Sequence, residues 1–325
     1  MRRGEELPWK RMCGRAEKAR LPEHWCVPVP AERQRPLFVE KGRADRLWSV
    51  PSVYGKERGN KENRMQYPDI NPVALSIGPL QLHWYGLMYV FAFLAGWLLG
   101  RFRASRPWSK WTAAMVDDFL TWSMLGVIVG ARLGYVLFYD LSVYLADPGE
   151  IFRVWNGGMS FHGGLLGVVT ASWFWGRRHG MTLLDILDFV APLVPTGLFF
   201  GRIGNFINAE LWGKVTESPL GMVFPGAGPL PRHPSQLYEA GLEGVLMFVI
   251  LWIYSSKPRP RGAVSGLFGV LYAVSRMTVE FFRVPDAQLG YLFAGWVTMG
   301  QILCLPLLLI GLWLLFRAGR GGGKA

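Results

Sequence analysis

Charge is missing from two long stretches of this chain: no Lys, Arg, Asp or Glu occurs from Asn71 to Gly100, nor from Ala287 to Phe316. Each run exceeds the roughly 20 residues that cross a bilayer as a helix. A soluble helix has no reason to be apolar on every side over such a length. Cysteine is scarce as well. Cys13, Cys26 and Cys304 offer neither a disulfide framework nor metal-ligand spacing, and none pairs with a histidine. A G-x-S-x-G elbow is lacking, so no nucleophile of the protein's own is evident. Residues 1–64 have no apolar core of the kind a secretory signal needs, and their acidic residues fit a transit peptide badly. Neither a repeat nor a matched pair of broken helices appears, which speaks against a transporter built from repeats.

What is present is greasy. The 325 residues are 51% hydrophobic, with 15 Trp and 20 Phe, too apolar for a soluble domain of this size. The net charge of +12 would suit a nucleic-acid partner, but its distribution argues otherwise. Residues 1–64 hold 16 of the 35 Lys+Arg and 9 of the 23 Asp+Glu, a net +7. The basicity lies mostly in this tail, which reads as disordered. No nucleic acid is expected as a partner.

The body divides into apolar segments near 82–100, 117–139, 160–176, 185–201, 236–255, 262–283 and 294–316, predicting an all-α integral membrane protein of about seven transmembrane helices. Basic loops fall on one side: "RFRASRPWSK", "GRRHG", "SSKPRPRG" and "RAGRGGGK". The other side has only Arg153, Arg202, Lys214, Arg232 and Arg283. The positive-inside rule then predicts a cytoplasmic C-terminus and a periplasmic start of the body. That orientation would translocate the basic tail, which the same rule disfavours. Translation is therefore expected to begin at Met65, leaving 1–64 as an artefact of the assigned start, 65–317 as the membrane domain and 318–325 as a short cytoplasmic tail.

Polar residues cluster toward the outer side. "NGGMSFHGGL" (156–165) enters the third segment, and "GRIGNFINAELWG" (201–213) leaves the fourth. "RHPSQLYE" (232–239) enters the fifth, and "RMTVEFFR" (276–283) closes the sixth. In the last, Arg276, Glu280 and Arg283 share a helical face. Charges at membrane depth usually face a protein interior or watery cavity and carry function. An arginine fork suits a phosphate, Asn205 and Asn208 supply neutral donors, and glycines let backbone approach a ligand. A phospholipid headgroup is the expected ligand. His162, flanked by glycines, is the candidate proton acceptor, and a direct transfer to an incoming acceptor fits better than a covalent intermediate. Plainer readings stand beside these. Arg276 and Glu280 also read as a structural i,i+4 pair, and Arg132 as packing glue hydrogen-bonded to backbone. His233 reads as a turn before a helix, and His83, Trp84 and Tyr85 as an interfacial aromatic belt.

At these residues the sequence resembles the prolipoprotein diacylglyceryl transferases. The resemblance runs from about Met65 to Phe316 and rests on "LHWYGLMY", "GGMSFHGGL", "GRIGNFINAELWG", "RHPSQLYE", "GAVSGLF", "RMTVEFFR", "PDAQLG" and "MGQILCLP" in order. It implies a multi-pass protein of the bacterial inner membrane with a seven-helix fold. It also implies transfer of the diacylglyceryl group of phosphatidylglycerol to the lipobox cysteine of a prolipoprotein signal peptide. A thioether forms, glycerol 1-phosphate leaves, and no metal or organic cofactor is implied. By motif position Arg202 and Arg276 resemble the family's essential arginines and His162 its thiol-deprotonating histidine. Tyr85, Asn205, Glu210, Glu280 and Arg283 belong to the same implied site, with His233 a weaker member. Ala209 departs from the pattern, which usually has glycine there, and Lys214 to Pro231 is shorter than in some members. The rival readings are a lipid-headgroup-binding transporter or flippase, and a scaffold whose charges only hold helices together.

Overall fold

The computed structural model describes residues 65–321 apart from 69, 79, 154–156, 285–289, 291 and 294. The expectations for residues 1–64, for the last four residues of the tail, and for most of "PDAQLG" lie outside the described residues.

Helices stand at every segment that the apolar pattern marked. They are α1 (Trp84–Ala104), α2 (Ala113–Phe138), the short α3 (Leu141–Ala146), α4 (Phe161–Arg178), α5 (Leu183–Val190), α6 (Val194–Ile207), α7 (Ser235–Tyr254), α8 (Ala263–Glu280) and α9 (Met299–Gly321). Four of them, α1, α2, α7 and α9, are long and apolar enough to cross a membrane. A fifth span results if α5 and α6, bent by 54°, count as one. Pro192 and Pro195 explain the bend, since each removes a backbone donor and crowds the preceding turn. Besides the short α3, the helices α4 and α8 remain, at 18 residues each. Arg177 and Arg178 in one, and Arg276 and Glu280 in the other, lower their apolarity. The described residues thus make a multi-pass helical membrane protein with four to five candidate spans.

Local chemistry sets the helix ends. Thr112 and Ser160 accept hydrogen bonds from the backbone N–H of Met115 and Gly163 as N-caps. Thr182 and Asp185 form a capping box. Asp188 caps α8 from another helix, accepting from the N–H groups of Gly262 and Ser265 and from the Ser265 hydroxyl.

Small residues bring helices together. A Cβ on Gly167 of α4 would lie 2.0 Å from the Gly126 carbonyl oxygen of α2, and one on Gly130 would lie 2.5 Å from that of Gly163. Only glycine permits that approach, the usual device where lipid gives helices no hydrophobic reason to associate. At one end of the helices an aromatic core forms. Trp111 stacks on Phe189 and Trp175 at 4.1 and 4.8 Å, while the Trp175 indole donates to Asp118.

The opposite end carries short strands, which the all-helical expectation did not include. β1 (Met65–Gln66) pairs in parallel with β4 (Met222–Val223), and β2 (Val73–Ile77) with β3 (Leu80–His83) in an antiparallel hairpin that leads directly into α1. Tyr67 follows β1, and its hydroxyl lies 2.7 and 2.8 Å from the carbonyl oxygens of Phe206 and Ile207. It thereby satisfies the carbonyls that the end of α6 leaves without intrahelical partners.

Candidate active site

Three helices deliver charge to one place at the strand-bearing end. α6 contributes Arg202, α7 contributes Glu239 and Glu243, and α8 contributes Arg276 and Glu280. Arg202 reaches Glu239 with Nε at 2.8 Å from Oε2, and its Nη2 is 3.9 Å from Glu243. Arg276 donates through Nη1 to the other oxygen of Glu239 at 2.9 Å, and its Nη2 lies 2.8 Å from Glu280. Arg283 approaches Glu280 at 4.0 Å. Glu280 also accepts from the Thr298 hydroxyl at 2.9 Å, and Gly300 leaves α9 room beside its carboxylate. All three glutamates are buried. Buried carboxylates are costly unless paired and hydrogen-bonded; Glu239 and Glu280 meet both conditions.

The stretch after α6 closes the site from the side. Ala209 and Leu211 take left-handed backbone, φ 52° and 58°, so the chain doubles back and the Glu210 N–H meets the Asn205 carbonyl at 3.1 Å. Glu210 then accepts from the side-chain amides of Asn205 (2.7 Å) and Asn208 (3.5 Å). Asn205 in turn accepts from Arg202 at 3.4 Å. Gln236, at the start of α7, donates to the Glu210 backbone carbonyl. Tyr85 stands beside this group, its ring against Gly204 and its hydroxyl 3.3 Å from that of Tyr89.

Between Glu239 and Met247, α7 widens into a π-helical turn, Ala240–Leu246. Such turns are rare and favour functional sites. This one keeps both Glu239 and Glu243 turned toward Arg202.

A family model described as prolipoprotein diacylglyceryl transferase matches residues 72–317. A phosphatidylglycerol–prolipoprotein diacylglyceryl transferase of Nitratidesulfovibrio vulgaris (strain DP4) is 64% identical over 261 residues, 80% of this chain and 99% of the relative. One of Oleidesulfovibrio alaskensis is 62% identical over 76% and 93%. One of Pseudomonas paraeruginosa is 59% identical over 79% and 96%. This chain belongs to the prolipoprotein diacylglyceryl transferase family.

Of the residues expected for a transferase site, the fold gathers Arg202, Asn205, Asn208, Glu210, Arg276, Glu280 and Arg283, with Tyr85 adjoining. The plainer reading of Arg276 and Glu280 holds too, since they form an ion pair within one helix. His233 stands apart from the pairs. Its Nδ1 is 3.1 Å from the Tyr238 hydroxyl, its ring packs on Phe282 at 5.1 Å, and burial pushes its pKa down. His162 opens α4 and lines a cavity of about 810 Å³ between α2 and α4, and neither Arg202 nor Arg276 is in its walls. Arg132 does what the packing reading expected. Buried beneath a loop, it donates to the backbone carbonyls of Glu150, Ile151, Gly157 and Gly158.

Glu239 and Glu243 were not among the predicted site residues, although Glu239 joins both arginines. A signal was present, because they are the only charged residues between Ser235 and Tyr254 and sit one helical turn apart.

Proposed function

We propose that this chain transfers the diacylglyceryl group of phosphatidylglycerol to the lipobox cysteine thiol of a prolipoprotein signal peptide, the first step of bacterial lipoprotein maturation. The carrying observation is the shared grip of Arg202 and Arg276 on one buried carboxylate. Two guanidinium groups from different helices that converge on a single anion are suited to a phosphate as well. A guanidinium has more N–H donors than these bonds use, so phosphate oxygens can be engaged while Glu239 keeps the pair in place.

In the proposed reaction the thiol sulfur bonds to the glyceryl carbon that carries the phosphate. The bond from that carbon to the phosphate oxygen breaks, and glycerol 1-phosphate departs with the electron pair. Arg202 and Arg276 stabilise the charge gathering on the departing ester, the kind of term that dominates many enzymic rates. His162 is proposed to take the thiol proton. Its ring is exposed and makes no hydrogen bond to another described residue, and the apolar cavity beside it suits hydrocarbon chains or the apolar part of a signal peptide. Asn205, Asn208, Glu210, Glu280, Arg283 and Tyr85 are proposed to shape the headgroup site, with His233 at its edge. No cofactor enters this scheme.

The same proposal includes seven spans in a body over 65–317 that begins at the periplasmic side, a cytoplasmic C-terminus, and residence in the bacterial inner membrane. The transporter or flippase reading is not favoured, because the relatives carry the name of a transferase. Incubation of the purified protein with phosphatidylglycerol and a lipobox peptide, followed by mass spectrometry, tests the reaction. A diacylglyceryl mass shift confined to the cysteine peptide, absent from its Cys→Ser control, is expected. Lipid movement without that adduct would refute it.

A further inference from the structure

A second concentration of positive charge lies at the other end of the helices, around a polar cavity of about 410 Å³. Its walls are the end of α1 with the loop after it, α5 with the residue Met181 before it, and the loop between α7 and α8 with the start of α8. Arg103, Lys110, Lys257, Arg259 and Arg261 line it, against only Asp185 and Asp188.

Both acids are already engaged. Asp188 accepts three hydrogen bonds at the start of α8, between 2.6 and 2.8 Å. Asp185 pairs with Arg261 at 2.8 Å and closes the capping box of α5. Arg103, Lys110, Lys257 and Arg259 have no ion pair among the described residues. Arg103 is the informative one, at 6% exposure. Its Nη1 donates to the Ser255 hydroxyl at 2.6 Å, while its Nε is buried with no hydrogen-bond partner. Its guanidinium carbon sits 5.4 to 6.0 Å from the ring centres of Phe189, Trp252 and Trp108. Stacking of this kind offsets some of the cost of burying a cation. Asp188 is the acid close enough to act on Arg103, and that carboxylate is already shared among three other donors; a buried cation so weakly countered is costly.

The geometry points to this cavity as a binding site for a phosphate-bearing anion, distinct from the Arg202–Arg276 site. Several cations converge from separate segments on a space large enough for a phosphate and a small headgroup. Guanidinium and ammonium donors are the groups that recognise phosphate oxygens. Basic pockets between helices at a membrane surface select anionic lipid headgroups, and free phosphate esters share the same chemistry.

The full-length chain carrying Arg202→Gln, which disables the other phosphate site, is delipidated in a non-ionic detergent. It is then titrated with dihexanoyl phosphatidic acid and, separately, with glycerol phosphate. Bound ligand is counted by native mass spectrometry, with dihexanoyl phosphatidylcholine as the zwitterionic control. One phosphatidic acid should be retained in preference to the control. The exposed pair Lys110→Gln with Lys257→Gln should weaken it several-fold, and Arg103→Gln about tenfold or more. Retention of the lipid alone identifies a lipid headgroup as the ligand. Equal retention of glycerol phosphate, with the same response to the variants, identifies the phosphate ester itself. No preference over the control, or affinity unchanged in the double lysine variant, overturns the site.

Discussion

Arg202 and Arg276 reach opposite oxygens of the same carboxylate, that of Glu239, at 2.8 and 2.9 Å. They come from α6 and α8, so Glu239 on α7 is the point at which three helices agree on the position of two cations. A carboxylate that bridges two guanidinium groups fixes their separation, and such fixed donors stabilise a developing charge without reorganising at the moment of reaction.

Arginine should therefore not be replaceable by lysine here. Arg202→Lys and Arg276→Lys keep the charge but lose the planar fork. Each is expected to lower the lipidation rate by about two powers of ten, with folding retained. Single-turnover transfer to a lipobox peptide measures the effect. A rate near wild type in either variant would remove that arginine from the proposed chemistry.

Glu239 and Glu243 are both buried yet should respond differently to loss of charge. Glu239→Gln leaves two guanidinium groups facing each other without their shared anion, and should cost about 3 kcal/mol or more. Neither oxygen of Glu243 has a hydrogen-bond partner, and its nearest cation is 3.9 Å away. Glu243→Gln should therefore cost under about 1 kcal/mol, or stabilise, by sparing the desolvation of a charge. Thermal unfolding of both variants in detergent decides, and a larger loss for Glu243→Gln would contradict this ranking.

Arg132 anchors a loop rather than a ligand. Its guanidinium holds carbonyls from both Glu150–Ile151 and Gly157–Gly158. Arg132→Ala leaves these carbonyls without their donor, at about 1–3 kcal/mol for any that water does not reach. The expected signature is faster amide hydrogen exchange in residues 147–153, with exchange near Arg202 unaffected.

His233 gives the strand-bearing end a pH dependence. Burial lowers its pKa from the usual value, so the fold prefers the neutral ring while the unfolded chain protonates first as pH falls. The stability due to this difference is present above about pH 6.5 and is lost as pH falls through the lowered folded value. His233→Asn should flatten the decline in unfolding temperature between about pH 7 and about pH 5 relative to wild type. An identical decline in both would exclude His233 as its source.

The positions of the helices were legible because lipid imposes long uncharged runs, although the run from Asn71 to Gly100 also holds the hairpin of β2 and β3 before α1 begins at Trp84. The arginines were legible for the converse reason, since charge in such surroundings is rare. Glu239 ends "RHPSQLYE", and nothing local in that motif reveals that two other helices will meet it there. The short strands were invisible for a different cause. β1 and β4 are two residues each and pair across more than 150 positions, a contact that no local periodicity encodes. His162 was expected beside the arginines because its motif lies at the same end. The glycines after it also serve the close packing of α4 on α2, a demand that the motif alone does not distinguish from one of the site.

Ala209 tests how much strain the turn after α6 carries. Its φ of 52° lies where a Cβ crowds the following carbonyl oxygen, at roughly 1–2 kcal/mol. The turn cannot relax, because Glu210 must return to Asn205 and Asn208. Glycine at this position removes the clash but loses more conformational freedom on folding, an opposing term of about 0.5–1 kcal/mol. Ala209→Gly should therefore stabilise the fold by up to about 1 kcal/mol, with the Asn205–Glu210 contact and lipidation activity retained. A fall in unfolding temperature would mean that the alanine methyl makes packing contacts worth more than the strain it brings.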